Sequence, residues 1–243
     1  MIGWPQGYSR QIHAELDSTN EEARRLAEAG EGGPLWIMAE RQTAGRGRRG
    51  RAWATAAGNL AATLLLRPGA PRALTGQLSF AAALAAADMA AHFAPDAPIA
   101  VKWPNDVLAG GKKLAGLLLE GGDGWLAIGI GVNLAGHPPD TEVTEFPATS
   151  LAGLGIAPPS PEQALTVLAA RFAHWYDLWM QGGFEHLRAA WLARAVALGR
   201  PIRARLANHE THEGVFEGID ESGALLLNEG GRIRAISAGE VFF

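Results

Sequence analysis

The stretch 45-GRGRRGRAW-53 places four arginines and three glycines within nine residues. Its glycines match the spacing of the dinucleotide fingerprint G-x-G-x-x-G. That fingerprint needs a strand before the glycines, a helix after them and an acidic residue about 20 residues further on. A strand is predicted before the stretch, but no helical period follows it, and residues 60–70 contain no acid. The residues after the stretch therefore do not support a dinucleotide-binding motif.

A nucleic-acid patch is the second interpretation of this stretch, because arginine- and glycine-rich segments follow phosphate backbones. The chain carries a net charge of −4 with a pI near 6.0, so any attraction to a polyanion must be local. A solvated basic turn would also explain the arginines, although not the motifs that follow. The sequence contains no cysteine, which excludes disulfides, thiol catalysis and thiolate metal sites.

The pattern of apolar residues predicts an α+β domain. Residues 17–30 form a predicted helix, with capping-box spacing between Ser18 and Glu21 and a C-terminal cap at Gly30. Further strands are predicted at 35–42, 59–68, 114–120 and 125–134, and helices at about 73–93, 161–181 and 184–197. The segment 99–108 is predicted as a strand that Pro104 ends. Residues 135–160 are expected to form a surface loop.

The residue pattern of the sequence changes after Gly199. Five short apolar runs between 201 and 243 are separated by turn residues at regular intervals, which is typical of a small all-β barrel. We therefore divide the 243 residues into a domain at 1–197 and a second at 198–243. No secretory signal is visible at the start, and the apolar segment 78–93 contains Asp88 and His92, as in a buried helix. A cytoplasmic protein is expected.

Two further motifs carry chemistry: 102-KWPND-106 and 112-KKLAGLLLE-120. They contain all three lysines of the chain. Asn105 and Asp106 could simply form a turn, and the lysines of the second motif a hairpin tip. Together with the arginines, however, these residues suit polyanionic chemistry. The guanidinium group of arginine can donate two parallel hydrogen bonds to phosphate oxygens, and the flexible side chain of lysine supplies a mobile positive charge. Asp106 can hold Mg²⁺ or accept a proton.

In this order and spacing, the motifs resemble those of the biotin protein ligases. The resemblance covers most of residues 17–134 and rests on the segments 17-DSTN-20, 40-ERQTAGRGRRGRAW-53, 102-KWPNDV-107, 113-KLAGLLLE-120 and 128-IGIGVNL-134. It implies a mixed sheet with helices, as in class II aminoacyl-tRNA synthetases and biotin ligases, followed by an SH3-like C-terminal barrel. It also implies a two-step reaction. Biotin and MgATP give biotinyl-5′-AMP, and biotin then passes to a lysine of a biotin carboxyl carrier protein.

The resemblance also assigns site residues. Lys113, Arg48 and Asp106 would be catalytic, with Asp106 also serving Mg²⁺. Lys113 is preferred to Lys112 because the family motif begins at the lysine next to Leu114. The remaining contacts with biotin and ATP would come from Ser18, Thr19, Asn20, Gln42, Gly45, Arg46, Gly47, Trp53, Asn105, Gly116, Gly131 and Asn133. The first four would bind the ureido ring. Residues 45–53, the arginine loop, would close over the adenylate and are expected to be disordered without ligand.

Several features separate this chain from other members of the fold. The DSTN motif begins at residue 17, which leaves no room for the winged helix that some members use to bind DNA, so a monofunctional ligase without DNA or membrane partners is expected. A homodimer is left open. Some family members place a tryptophan against the adenine ring in this region, but the corresponding segment here, 146-FPATSL-151, contains none. The rival interpretations are a lipoate ligase or lipoyl/octanoyl transferase, whose glycine-triplet motif differs from GRGRRGRAW, and a nucleic-acid-binding module, which gives KWPND no role.

Overall fold

The computed structural model describes residues 2–139 and 147–243. Within these ranges, a seven-stranded sheet forms the larger part of the protein. The order across this sheet is β1-β2-β3-β7-β6-β5-β4. Its strands are β1 (Ser9–Leu16), β2 (Leu35–Gln42), β3 (Leu60–Leu66), β4 (Ile99–Lys102), β5 (Asp106–Ala109), β6 (Lys112–Gly122) and β7 (Trp125–Val132). Only the β1–β2 pair is parallel among the described strand pairs, so the sheet is mixed.

Helices cover the two faces of this sheet. They are α1 (Thr19–Glu28), α2 (Arg72–Thr75), α3 (Leu78–Phe93), α4 (Pro161–Gly182) and α5 (Phe184–Leu192). The period-2 alternation of β3 separates the faces. Leu64 and Leu66 belong to the main core with α3 and α4, whereas Leu65 packs with Ala23 and Ala27 of α1. The main core therefore lies on one side of the sheet, and α1 lies on the other.

A second, five-stranded antiparallel sheet follows α5. Its order is β11-β10-β9-β8-β12, and its strands are β8 (Pro201–Arg205), β9 (Thr211–Ile219), β10 (Leu225–Glu229), β11 (Arg232–Ile236) and β12 (Glu240–Phe242). This arrangement is consistent with the expected SH3-like barrel. It is fastened to the larger part by Trp103, whose Nε1 donates to the Gly223 carbonyl (3.0 Å), and by Arg188, whose Nε donates to the Ile219 carbonyl (2.7 Å).

The α+β class, the mixed sheet and the β-rich tail are confirmed, but some details differ from the prediction. Strand β1 was not predicted, because its sequence SRQIHAEL is mostly polar at the exposed edge of the sheet. The segment 99–108, predicted as a strand that Pro104 ends, forms β4 and, after a turn at Pro104, the additional strand β5. The helix expected at 73–93 is interrupted after α2 at Gly76, a residue of low helix propensity. Of the loop expected at 135–160, positions 140–146 lie outside the described residues.

The predicted capping box of α1 is wrong. Ser18 occupies the N-cap position with extended backbone, yet its side chain makes no capping hydrogen bond. Glu21 pairs instead with Arg24 and Arg46. The Ser18 hydroxyl is thereby left for the cavity described below. Gly30 does follow the helix in the left-handed conformation (φ 95°), which suits a glycine at a helix C-terminus.

Candidate active site

A cavity of about 770 Å³ lies on the α1 side of the large sheet. It is bounded by the start of α1, the arginine loop, the β4–β5 hairpin and the last strand, β12. All but one of the predicted site residues line it: Ser18, Thr19, Asn20, Gln42, Arg46, Gly47, Arg48, Trp53, Asn105, Asp106, Lys113, Gly116, Gly131 and Asn133. The fold thus brings together predicted residues that are up to 115 positions apart in the sequence (Ser18 to Asn133).

Gly45 is the predicted residue that does not line the cavity. Its carbonyl accepts a hydrogen bond from Trp53 N (2.9 Å), and a Cβ at this position would lie 2.4 Å from the Trp53 carbonyl oxygen. Gly45 therefore closes the base of the arginine loop. Inside the loop, Gly47 N donates to the Arg51 carbonyl (2.7 Å), which folds the segment back on itself.

Glycines of β6 and β7 form the floor of the cavity, and the Trp53 indole lies directly on them. A Cβ on Gly131 would lie 2.3 Å from Trp53 Cε2, and one on Gly116 would lie 3.0 Å from Trp53 Cζ3. Real Cβ atoms do not come as close as 2.3 Å, so Gly131 needs glycine in this arrangement, whereas a side chain on Gly116 would press tightly on the indole. The ammonium of Lys113 lies 5.8 Å from the centroid of the same indole, within cation–π distance.

The ureido end of the predicted site lies at the start of α1. Thr19 N donates to Gln42 Oε1 (2.8 Å), which ties α1 to the end of β2. Asn20 Nδ2 donates to Glu120 Oε2 (2.8 Å) on β6. The side chains of Thr19 and Asn20 are almost completely buried. These contacts form a polar pocket at one end of an otherwise small-residue floor.

Two arginines of the loop reach opposite ends of the cavity. Arg46 lies near α1, where its Nη2 is 3.1 Å from Glu120 Oε2 and 3.3 Å from Glu21 Oε2. Arg48 turns the other way and donates to Asn105 Oδ1 (3.1 Å). Burial, together with the charge of neighbouring Arg49, lowers the pKa of Arg48 from its usual value. A partly desolvated guanidinium of this kind interacts strongly with an incoming anion.

Three charged groups meet where β4, β5 and β6 lie side by side. Lys113 Nζ is 2.6 Å from Asp106 Oδ1, and Lys102 Nζ is 3.4 Å from Asp106 Oδ2. Lys102 is only 6% exposed, and this burial lowers its pKa even though Asp106 opposes the change. Lys112, in contrast, is exposed to solvent. Of these two adjacent lysines, Lys113 lines the cavity beside Asp106.

Asp106 is the predicted magnesium ligand, and each of its two oxygens lies beside a lysine ammonium group. Over the described ranges 2–139 and 147–243, no three His, Asp or Glu side chains are grouped to hold a metal. Mg²⁺ often has only one or two carboxylate ligands and takes its other ligands from phosphates and water. Any Mg²⁺ at Asp106 would have to compete with the two lysines and would take its other ligands from phosphates and water.

The last strand also contributes to the cavity, which the sequence did not predict. Glu240 lies 2.7 Å from Arg51, 3.3 Å from Arg49 and 2.8 Å from Arg205. Burial opposes ionisation of Glu240. The hydrogen bond from Arg205 and the charge of Arg51 outweigh it and hold the pKa of this carboxyl below its usual value. The arginine loop is consequently attached to the C-terminal barrel.

Comparison with known proteins identifies the family. Residues 14–133 match the biotin/lipoate A/B protein ligase family, and residues 197–243 match the biotin protein ligase C-terminal domain. Over 239 residues the chain is 49% identical to the biotin--[acetyl-CoA-carboxylase] ligase of Paracoccus denitrificans, covering 95% of this chain and 98% of the relative. The chain belongs to the biotin protein ligase family. This biotin protein ligase is therefore an ATP-dependent enzyme that acts with biotin.

A second relative and a solved structure support the same family assignment for this biotin protein ligase. It is 37% identical to the biotin--[acetyl-CoA-carboxylase] ligase of Mycobacterium tuberculosis, covering 99% of this chain and 91% of that one. Its structure is similar to that of the biotin protein ligase from Aquifex aeolicus in complex with biotin and ATP. That match has a TM-score of 0.83 and 27% identity, and it covers 96% of this chain and 97% of the other.

Several residues that line the cavity of this ligase received no role from its sequence, and Lys102, Arg205 and Glu240 are charged examples. Thr63, behind the cavity wall, also received none. Lys102 was marked by the clustering of the three lysines but received no role. Glu240 and Arg205 gave no signal, because they lie in the barrel strands and only folding brings them to the cavity. Thr63, a buried residue of β3, contacts two predicted site residues from behind. The apolar run around Thr63 hides its importance.

Proposed function

We propose that the cavity joins biotin to ATP and then passes biotin to a lysine of a carrier protein. The observation that carries this proposal is the convergence of Lys113, Asp106 and Arg48 with the polar pocket at Thr19 and Gln42 in a single cavity. The polar pocket would hold the ureido ring, and the tetrahydrothiophene ring and valeryl chain would lie along the Trp53 indole, which covers the glycine floor. The acid would then end beside the lysine–aspartate cluster.

The first step brings two anions together, so the protein has to supply positive charge. An oxygen of the biotin carboxylate attacks the α-phosphate, and pyrophosphate leaves. We assign Lys113 and Arg48 to the developing negative charge, because preorganised cations in a poorly hydrated site stabilise such transition states strongly. Lys113 would bridge the carboxylate and the α-phosphate, and Arg48 would lie over them. Asn105, which accepts a hydrogen bond from Arg48, would position that guanidinium.

The arginine loop would protect the product of this step. Biotinyl-5′-AMP is a mixed anhydride and reacts with water, so excluding solvent preserves it. Trp53 and Arg46 would cover the biotin half, and Gly131 and Asn133 would border the nucleotide. Asn133 is suited to a fixed position, since it is buried and its Nδ2 donates to the Thr149 carbonyl (3.0 Å).

In the second step, the amine of the carrier lysine attacks the anhydride carbonyl, and AMP leaves. Asp106 would orient this amine and hold Lys113 in place, since its two oxygens are each within reach of one lysine. The acetyl-CoA-carboxylase ligases to which this chain is similar suggest a carrier domain of a biotin-dependent carboxylase as the partner. MgATP is the second substrate.

We further propose that residues 1–197 form the catalytic unit and residues 198–243 the SH3-like unit, and that the enzyme works in the cytoplasm without DNA or membrane partners. The run Ala73–Phe93 is apolar and long enough to span a membrane, but most of it is buried in the protein core. A helix in that position suits the interior of a folded enzyme.

Exchange of labelled pyrophosphate into ATP tests the adenylation step. Exchange that depends on biotin is expected, and lipoate should not replace biotin. Exchange with lipoate alone would place this chain with the lipoate ligases in activity. If neither acid supports exchange, the proposal is wrong. Transfer is then tested by the appearance of biotin on a carrier domain, with a carrier whose acceptor lysine has been changed to arginine as the control.

A further inference from the structure

Thr63 is a buried hydroxyl placed behind the predicted ureido pocket. It is fully buried in the middle of β3, where every other side chain of LAATLLL is apolar. Its Oγ1 lies 2.6 Å from Asn20 Oδ1 and 2.8 Å from Thr19 Oγ1. Buried polar groups require partners, and both partners here are cavity residues. Thr63 does not itself line the cavity, so any effect on a ligand has to pass through them.

The orientation of the Asn20 amide decides where the Thr63 proton points. Asn20 Nδ2 donates to Glu120 Oε2 (2.8 Å) and to the Leu118 carbonyl (3.3 Å), which are both acceptors. The Asn20 amide oxygen therefore faces Thr63, and it can only accept. The single hydroxyl proton of Thr63 is used in this bond.

Thr19 then has only one arrangement that satisfies its neighbours. Because the Thr63 proton points to Asn20, Thr63 can only accept from Thr19. Gln42 Oε1, 3.1 Å from Thr19 Oγ1, is also an acceptor. The Thr19 proton consequently remains inside the protein, shared between these two oxygens. What the Thr19 hydroxyl presents to the cavity is a lone pair.

Gln42 is fixed with the opposite polarity. Its Oε1 accepts from Thr19 N (2.8 Å), so its amide nitrogen is turned away from α1. One hydrogen of this nitrogen goes to Thr55 Oγ1 (3.1 Å). The other is available to the cavity. The pocket therefore offers an acceptor at Thr19 and a donor at Gln42.

We infer that Thr63 is a positioning residue that sets this hydrogen-bond polarity for biotin recognition. A ureido ring carries N–H donors beside a carbonyl acceptor, which is the complement of an acceptor at Thr19 and a donor at Gln42. The inference rests on the proposed function, since it presumes that the ureido ring lies in this pocket. Without the Thr63 hydroxyl, the Thr19 hydroxyl keeps only Gln42 Oε1 as a buried acceptor and Asn20 Oδ1 loses its donor, so the lone pair of Thr19 is held less firmly toward the ligand N–H.

The test is the kinetics of Thr63→Val, which keeps the shape of the side chain and removes its hydroxyl. The KM for biotin in pyrophosphate exchange is expected to rise about tenfold, because a buried acceptor on Asn20 is left unpaired and the pocket loses its fixed polarity. The kcat at saturating biotin and the KM for ATP should stay within about twofold. A lower kcat with an unchanged KM for biotin would overturn the inference.

Thr63→Ser is the matched control, because serine keeps the hydroxyl and loses only a methyl group. Its KM for biotin should return to within about twofold of the parent; a value as high as that of the valine variant contradicts the inference. Thr63 also acts through Thr19, so Thr63→Val should raise the KM much less when Thr19 is already valine. If the fold-changes in KM caused by Thr63→Val and Thr19→Val simply multiply in the double variant, Thr63 acts independently of Thr19 and the inference is overturned.

Two further measurements keep the outcomes distinct. Cooperative urea unfolding shows whether Thr63→Val is folded, and if it is not, Thr63→Cys is assayed in its place with the same expectation, since a thiol is a weak donor. An inactive parent enzyme would remove the proposed function itself. An active parent whose KM for biotin does not respond to Thr63→Val removes only the role of Thr63.

Discussion

Arg51 and Glu240 form an ion pair of 2.7 Å between the arginine loop and the first residue of β12. Glu240 also pairs with Arg49 and Arg205, so a single carboxylate holds two loop arginines beside a third arginine from β8. The backbone next to it takes part as well, because the Gly239 carbonyl accepts from Arg48 (3.4 Å). The barrel therefore touches the loop at several points and is placed to stabilise its closed form.

Glu240→Gln tests this contact. We expect the adenylate to escape about fivefold faster, because the neutral amide loses its attraction for Arg49 and Arg51. The measurement is release of labelled biotinyl-5′-AMP from the isolated complex, together with carrier-independent biotinylation of a bystander protein. Glu213→Gln, an exposed glutamate on the same sheet, should release the adenylate at the parental rate. Equal rates for both variants would show that the barrel does not stabilise the loop.

Arg48→Gly tests the loop from the other side. Removing this guanidinium takes away the contacts with Asn105 and Gly239 and the cation that we propose lies over the phosphate. The adenylate should leak and label nearby lysines without a carrier, as followed by mass spectrometry of bystander proteins. If the variant retains its adenylate as tightly as the parent enzyme, the loop is not a lid.

Lys113→Ala tests the assignment of the catalytic lysine. Pyrophosphate exchange should fall by at least about 100-fold, since the charge bridging carboxylate and α-phosphate is lost. Lys112→Ala is an unusually close control, because this neighbour is also a lysine but is exposed. It should retain parental exchange. Near-normal exchange by Lys113→Ala with an intact fold would mean that the wrong lysine or mechanism was chosen.

Gly131→Ala tests the packing of Trp53 on the cavity floor. The new methyl group would overlap the indole, so Trp53 has to move and the loop that carries it has to shift. The specificity constant for biotin should fall by about tenfold or more. Gly136→Ala serves as the control, because nothing lies within 4 Å of a Cβ there. Parental kinetics for Gly131→Ala would show that Trp53 need not lie on the floor.

Lys102→Met tests the burial of the Lys102 ammonium. Burial lowers the pKa of Lys102 below its ordinary 10.5, so the folded protein loses this proton before the unfolded chain does. Over that pH range the unfolded state binds more protons, and the contribution of Lys102 to stability becomes more favourable as pH rises. Urea unfolding should therefore show that the stability advantage of Lys102→Met over the parent is largest near neutral pH and shrinks toward pH 10.5. A difference in unfolding free energy that does not change with pH would contradict this. The control Lys112→Met should have the same unfolding free energy as the parent across this pH range.

The sequence was most informative where one local pattern determines one element. Strand β2 begins and ends where it was predicted, because LWIMAERQ is an apolar run with a polar end. The meander from β4 to β7 follows from tight glycine turns, and Pro104 ends the first strand as predicted, although β5 after it was not predicted as a separate strand. Candidate site residues could be selected because short motifs contain them, and Lys113 and Asp106, which come from two such motifs, are in contact in the cavity.

Other features depend on distant contacts that no local pattern records. Glu240 is one of several glutamates in the barrel, and only the docking of that barrel brings it to the arginine loop. Ser18 and Glu21 have the spacing of a capping box, but Arg24 and Arg46 compete for the glutamate and prevent it. Thr63 lies within an apolar strand, where its hydroxyl would be read as incidental. Each of these residues takes its role from partners in other elements.

The glycine floor limits how this enzyme can be redesigned. Gly116, Gly129 and Gly131 bring the backbone itself to the surface of the cavity, and Asn20 and Trp53 already occupy the space above them. Side chains cannot be trimmed where none exist, so the pocket cannot be deepened by substitution. Room for bulkier biotin analogues has to come from the walls, above all from the arginine loop. Selectivity toward such analogues and retention of the adenylate are therefore expected to change together.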